Sequence, residues 1–169
     1  MKLNKAKHIV IITMCFFVFC TSCTQKSNTN SSVIEENILS GELLADTIIY
    51  SVVIKNRDSL DQWAEKSLSK LNRKRMVDQI FESVYEHQAE AYDYVTEAPM
   101  SVSDVKAIED KEDFSRDKVA KLQFWEAWYY DEEQVVMSKK VLSVLVAYEA
   151  TTDDGDLLGY KAAFYIKTK

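Results

Sequence analysis

The side chains whose types invite chemistry are few: His8 and His87, Cys15, Cys20 and Cys23, and the acidic run Asp153, Asp154 and Asp156. Zinc needs about four nitrogen and sulfur ligands, and a nucleophile needs a base within hydrogen-bond reach. His87 stands beside Glu86 and Glu90, with no second His or Cys anywhere after position 23. It therefore reads as a helix-end histidine. Calcium would want acids at fixed alternate positions closed by a twelfth-position glutamate, which the stretch from Asp153 lacks, so those acids read as a solvated hairpin tip. A Gly-rich phosphate loop, a GxSxG elbow and an HExxH helix are all missing, and three glycines could hardly build the first. No catalytic residue, metal ligand or cofactor is expected, and the chain is read as not an enzyme. General acid/base work would require a buried pair of carboxylates, which a sequence does not reveal.

Cys23 has a different chemistry. Lys2, Lys5 and Lys7 precede an apolar run over 9–20, broken only by Thr13, and no acid comes before Glu35. Twelve residues are too few for a resident membrane helix, which needs about 20, and match the apolar core of a signal peptide. The run ends in Cys20-Thr21-Ser22-Cys23, small residues before a cysteine, which resembles a bacterial lipoprotein signal. Residues 1–22 are thus expected to be removed and Cys23 to carry lipid. Cys15, Cys20 and His8 would leave with the signal. An ordinary secretory signal cleaved nearby is the alternative. Residues 23–32 contain TQKSNTNSS, without an apolar side chain after Cys23, and are expected to be a lipid-anchored flexible tether. Thr24 is not the aspartate that often retains lipoproteins at the inner membrane, and no acid cluster follows to mark surface export. The expected location is the periplasmic face of an outer membrane.

Composition narrows the partners. The chain is 47% hydrophobic and 28% charged, with 27 acids against 21 bases. Losing three lysines and no acid with residues 1–22 moves the net charge from −6 to −9. Such a chain is repelled by nucleic acid and anionic headgroups, so membrane residence must come from the lipid. The run Arg73-Lys74-Arg75 reads as a solvated turn rather than a phosphate grip.

The elements that would position these groups are legible from residue periodicity. Residues 33–169 are expected to form one α+β domain, two to three helices on an antiparallel meander of about three strands, with one possible added strand. That added strand is read over 46–57, where Ile48, Ile49, Tyr50, Val52, Val53 and Ile54 are concentrated. From Asp58 as N-cap, Leu60, Trp63, Ala64, Leu68 and Leu71 recur at three- and four-residue spacing, predicting an inward helical stripe. Asn72 is read as the next N-cap, followed by Met76, Val77, Ile80, Phe81, Val84 and Tyr85. Ser101 and Asp104 form a capping-box pattern for a third helix carrying Val102, Val105 and Ile108 inward. After Arg116 the period becomes two. The strands are read near 121–130, 135–149 and 159–167, joined by turns at 131–134 and at Asp154-Gly155.

Aromatic residues crowd the first of these strands. If Leu122, Phe124, Trp128 and Tyr130 face the helices, Trp125 and Tyr129 face the other way. Exposed there, Trp125 and Tyr129 would be candidate anchors of a protein interface. An N-terminal segment folded over that face would bury them without a partner, and both readings stand.

The stretch FWEAWYYDEEQVVMSKKVLSVLVAYEA, residues 124–150, is similar to a segment of the GldN/PorN family, in which an acidic-aromatic strand, a short turn and a long apolar-ended strand succeed one another. IFESVYEHQAEAYDY, 80–94, resembles that family's helix leading into an Ala-Tyr-Asp element, and PMSVSDVKAIE, 99–109, the Pro-led helix that follows. The three segments occur in the family's order. The resemblance implies a non-enzymatic component of the type IX secretion and gliding motility machinery of Bacteroidetes. Its partners would be a larger ring lipoprotein and the periplasmic shaft of the motor. The matched motifs carry no catalytic residue. A small ligand- or protein-binding lipoprotein is the competing reading.

Overall fold

In a computed structural model of the chain the structure describes residues 41–168. The expected signal peptide, Cys23 and the tether lie outside the described residues. The fold class is α+β, with three helices and a six-stranded antiparallel sheet among the described residues.

The chain begins with β1 (Glu42–Val53), then α1 (Gln62–Leu68) and α2 (Arg73–Tyr85). Two short strands, β2 (Ala91–Tyr92) and β3 (Pro99–Met100), precede α3 (Val102–Glu109). After a 3-10 turn (Arg116–Lys118) come the long strands β4 (Val119–Asp131), β5 (Val136–Thr151) and β6 (Leu157–Lys167). The sheet order is β1-β4-β5-β6-β2-β3. Three successive strands form the meander, and β1 adds itself to the outside of β4.

Local signals explain most boundaries. The Asn72 side chain accepts from the Arg75 N–H at 3.0 Å and caps α2. Ser101 accepts from the Asp104 N–H at 3.2 Å, and Asp104 accepts from the Ser101 N–H at 2.8 Å, closing the capping box of α3. Gly155 adopts φ 88° at the β5–β6 turn, where its N–H reaches the Thr152 carbonyl at 3.0 Å.

The core lies between α2, α3 and one face of the sheet. Phe81 and Phe164, both fully buried, meet edge to face at 5.0 Å, and Phe114 closes on Phe81 from the side. Val77, Val105, Leu122, Val144 and Val146 complete the layer. Arg116 covers it from the rim. Its guanidinium lies 4.6 Å from the Phe81 ring and pairs with Glu109 at 2.5 Å, Asp78 at 3.1 Å and Glu82 at 3.3 Å.

Four expectations are corrected. The first helix starts one turn later than expected, because the Asp61 carboxylate, not that of Asp58, accepts from the Ala64 N–H at 2.9 Å and caps it. Its stripe packs on the core only at its end: Leu60 is 86% and Trp63 79% exposed, Ala64 and Leu68 are half-buried outside the core cluster, and Leu71, just beyond the helix, packs against the core that α2 closes. The basic run is not a turn but the opening of α2. Arg73 reaches back to the carbonyls of Asp117 and Val119, at 3.2 and 3.0 Å, and Lys74 pairs with Asp78 at 2.6 Å. The added strand runs over Glu42–Val53 rather than 46–57, because Lys55 and Arg57 turn toward Glu149 instead of continuing the ladder.

Candidate functional site

Strand alternation divides β4 between two environments. Leu122 and Phe124 point to the helices, and Trp128 and Tyr130 share that face but stand outside the core cluster. Lys121, Gln123, Trp125, Ala127 and Tyr129 occupy the opposite face. Trp125 stands between Ile49 of β1 and Ser143 of β5, and Tyr129 between Leu43 and Ser138. Both aromatics are half-buried.

On this face the rings form a row across the strands. Tyr165 of β6 lies 6.0 Å from Trp125, tilted by 37°, and stacks on Tyr92 of β2 at 5.2 Å and 20°. Lys167 sits 4.1 Å above the Tyr92 ring, and Lys121 lies 5.3 Å from the ring of Tyr160. Burial, then the Glu97 charge, pushes the Tyr165 phenol up. The Tyr92 phenol is raised first by its 2.6 Å hydrogen bond to Glu90. Both phenols are therefore neutral donors near pH 7. A groove of about 330 Å³ opens beside the row, walled by Tyr94, Val95, Leu145 and Tyr160, with Lys121 and Gln123 at its floor. The face thus joins flat apolar rings to lysine ammoniums in a chain that is acidic overall.

A second groove, about 570 Å³, runs past the exposed Trp63, with Val53, Leu68, Leu157, Tyr160 and Arg57 on its walls. A third, about 760 Å³, lies where α2 ends and α3 begins; His87 lines it together with Tyr92, Pro99 and Ser101. His87 itself is exposed just beyond α2 at φ 57°, the helix-end place expected for it. Asp153, Asp154 and Asp156 are exposed at the β5–β6 hairpin tip. Among the described residues, no three His, Cys, Asp or Glu side chains converge as a metal site.

The sequence reading missed two buried carboxylates. Glu126, 5% exposed, accepts from the Tyr50 hydroxyl at 2.7 Å and the Trp128 Nε1–H at 3.0 Å, with Lys139 at 3.7 Å. That hydrogen bond holds the Tyr50 phenol above its ordinary value. Glu149, also 5% exposed, is bound by Lys55 at 2.8 Å and approached by Arg57 at 3.8 Å. A signal for Glu126 existed: it alternates in phase with Phe124 and Trp128, so an inward acid was implied. Glu149 had none, because its cations come from nearly a hundred residues upstream. The Oε1 of Glu149 is buried without a hydrogen bond and has only the Arg57 guanidinium beside it, while Glu126 is fully bonded; the two acids lie on different strands in distant register, so they do not form an acid/base pair.

No protein-family model matches the chain, and no curated protein matches it.

Proposed function

We propose that this chain is a lipid-anchored envelope protein that acts as a non-enzymatic assembly component, meeting a protein partner through the face of its sheet opposite α2 and α3. The observation that carries the reading is the row Tyr92, Tyr165 and Trp125, with Lys167 over the Tyr92 ring, on the sheet face opposite the one that α2 and α3 cover. Aromatic rings with an adjacent cation are typical anchors of protein interfaces, and they are enriched at interface centres. Rings in a row, rather than one enclosed cavity, suit a broad contact. The similarity of 124–150 to the GldN/PorN family makes the type IX secretion and gliding complex the assembly to look in. Cys23 would hold the domain at the periplasmic face of the outer membrane.

The groove beside Trp63 favours a second reading, a binding lipoprotein, because its walls are mostly apolar and its volume suits a small ligand.

The test is a crosslink and pull-down of the lipidated protein from its native envelope, compared with the Trp125→Ala, Tyr165→Ala double variant. Near-stoichiometric recovery of secretion-ring or shaft proteins, lost in the variant while its thermal unfolding remains cooperative, is the expected result. Equal recovery with the variant would remove this aromatic face from the interface. A monomer without partners would favour the groove.

A further inference from the structure

The two edges of the sheet are built differently. β3 ends one side with two residues, and Pro99 has no N–H to offer, so that edge is closed to another strand. β1 ends the other side with twelve residues and, among the described residues, pairs only with β4. From Thr47 to Ile54 it reads TIIYSVVI, without a charge. Its irregularities of register against β4 fall before Ile48, so Ile48 to Val53 forms a regular rail whose other side pairs with no strand among the described residues. Ile49 and Val53 along it are about half exposed. Soluble proteins guard such an edge with lysine, proline or a bulge within the rail, and an unguarded one is a template for strand addition.

The ends of the rail say what it takes. Glu42 and Asp46 precede the uncharged stretch, and Lys55 and Arg57 follow it. An antiparallel second copy sets the acidic end of each strand against the basic end of the other, whereas a parallel copy would set like against like. Lys55 and Arg57 keep their hold on Glu149 and still expose about a third of their side chains, 32% and 35%.

We propose that the outer edge of β1 is a two-fold interface, pairing antiparallel with β1 of a second copy. Facing residues must point to the same side of the sheet, which puts the axis at a residue rather than between two. Ser51, exposed and small, lies at the centre of the stretch. With Ser51 facing its own copy, Ile49 faces Val53 and Ile48 faces Ile54. Two-fold axes of antiparallel pairs stand perpendicular to the sheet, so the aromatic faces of both copies, opposite α2 and α3, lie side by side.

Sedimentation equilibrium of the full chain in density-matched detergent reads the assembly. A concentration-dependent dimer is expected. Ser51→Lys, which sets two ammonium groups together at the axis, should abolish it while leaving circular dichroism unchanged. Hydrogen exchange on the unaltered chain needs no variant: outward amides of residues 47–54 should slow as concentration rises, with the β2–β3 edge unaffected. A monomer at every concentration with no change in exchange would overturn the proposal. So would a dimer of undiminished strength in Ser51→Lys, or β1 protection that appears only when a different protein is added.

Discussion

Replacing Arg116 by Met separates the charge of this residue from its bulk. The side chain is 26% exposed and binds Glu109, 27% exposed, through two nitrogens at 2.5 and 3.2 Å. It also lies over Phe81 and, at 5.8 Å, Tyr85. Breaking a fully buried ion pair costs about 3–5 kcal/mol, and an exposed one about 0–1. With about a quarter of each side chain in solvent, and the Met stem still covering Phe81, the loss is about 2–3 kcal/mol. For a domain of this size that lowers Tm by roughly 10 °C. The pH dependence carries the sharper test. Burial by itself would raise Glu109, but the hydrogen bonds from Arg116 and Tyr85 outweigh it and hold the carboxyl below its ordinary value. A carboxyl depressed in the folded state stabilises above its unfolded pKa, and that stability is lost as pH falls through the folded value. The gap between the unaltered chain and Arg116→Met should therefore be widest near neutrality and close in acid. Thermal unfolding followed by circular dichroism at pH 7 and pH 3 measures it. A gap below about 0.5 kcal/mol at pH 7, the range of ordinary surface changes, or one of the same size at pH 3, would refute the argument.

Phe81→Ala empties the centre of the core and should cost about 3–5 kcal/mol in urea titration, with the slope unchanged. Trp63→Ala should change stability by less than about 0.5 kcal/mol, because the ring is 79% exposed; a larger loss would mean that the indole is packed. Gly41→Ala would place a Cβ 2.4 Å from the Tyr130 carbonyl oxygen at φ +118°, so the first residues of β1 should unzip from β4, read as faster amide exchange at Leu43 than at Val52. Tyr85 is pushed up to about 12, first by burial and then by its hydrogen bond to Glu109. Its phenol favours the folded state while protonated, so that stability is present below pH 10 and lost as pH rises toward 12; in absorbance at 295 nm, Tyr85→Phe should remove the latest part of the tyrosine titration.

The caps were legible because capping is local. Asn72 and Ser101 each bond to a backbone N–H three residues on, and such pairs lie within the reach of a sequence pattern. The hairpins at 131–134 and Asp154-Gly155 were legible for the same reason. β2 and β3 were not: two residues each, they are strands only because β6 offers Ile166 and Tyr165 to Ala91 and Tyr92. The stripe of α1 was misread because periodicity says which residues share a face, not whether anything waits beneath it. Leu60 and Trp63 share a side with Leu68, and the core behind them was already filled by Val77 and Phe81.

Of the candidate interface, Trp125 came from alternation alone. Its neighbours Tyr165 and Tyr92 did not, since they enter through strand order across β5 and β6, and strand order is set by long-range pairing that leaves no local trace. By itself the sequence determined the element types, most caps and turns, the two sides of β4 and the acidity of the whole chain, all of them consequences of spacing and composition. Only the tertiary structure decided that β1 takes the end of the strand order beside β4, that Arg116 gathers three acids over Phe81, and that Glu149 finds Lys55 and Arg57. These depend on which surfaces meet when a chain closes on itself, and a period of two or 3.6 residues carries no record of the partner.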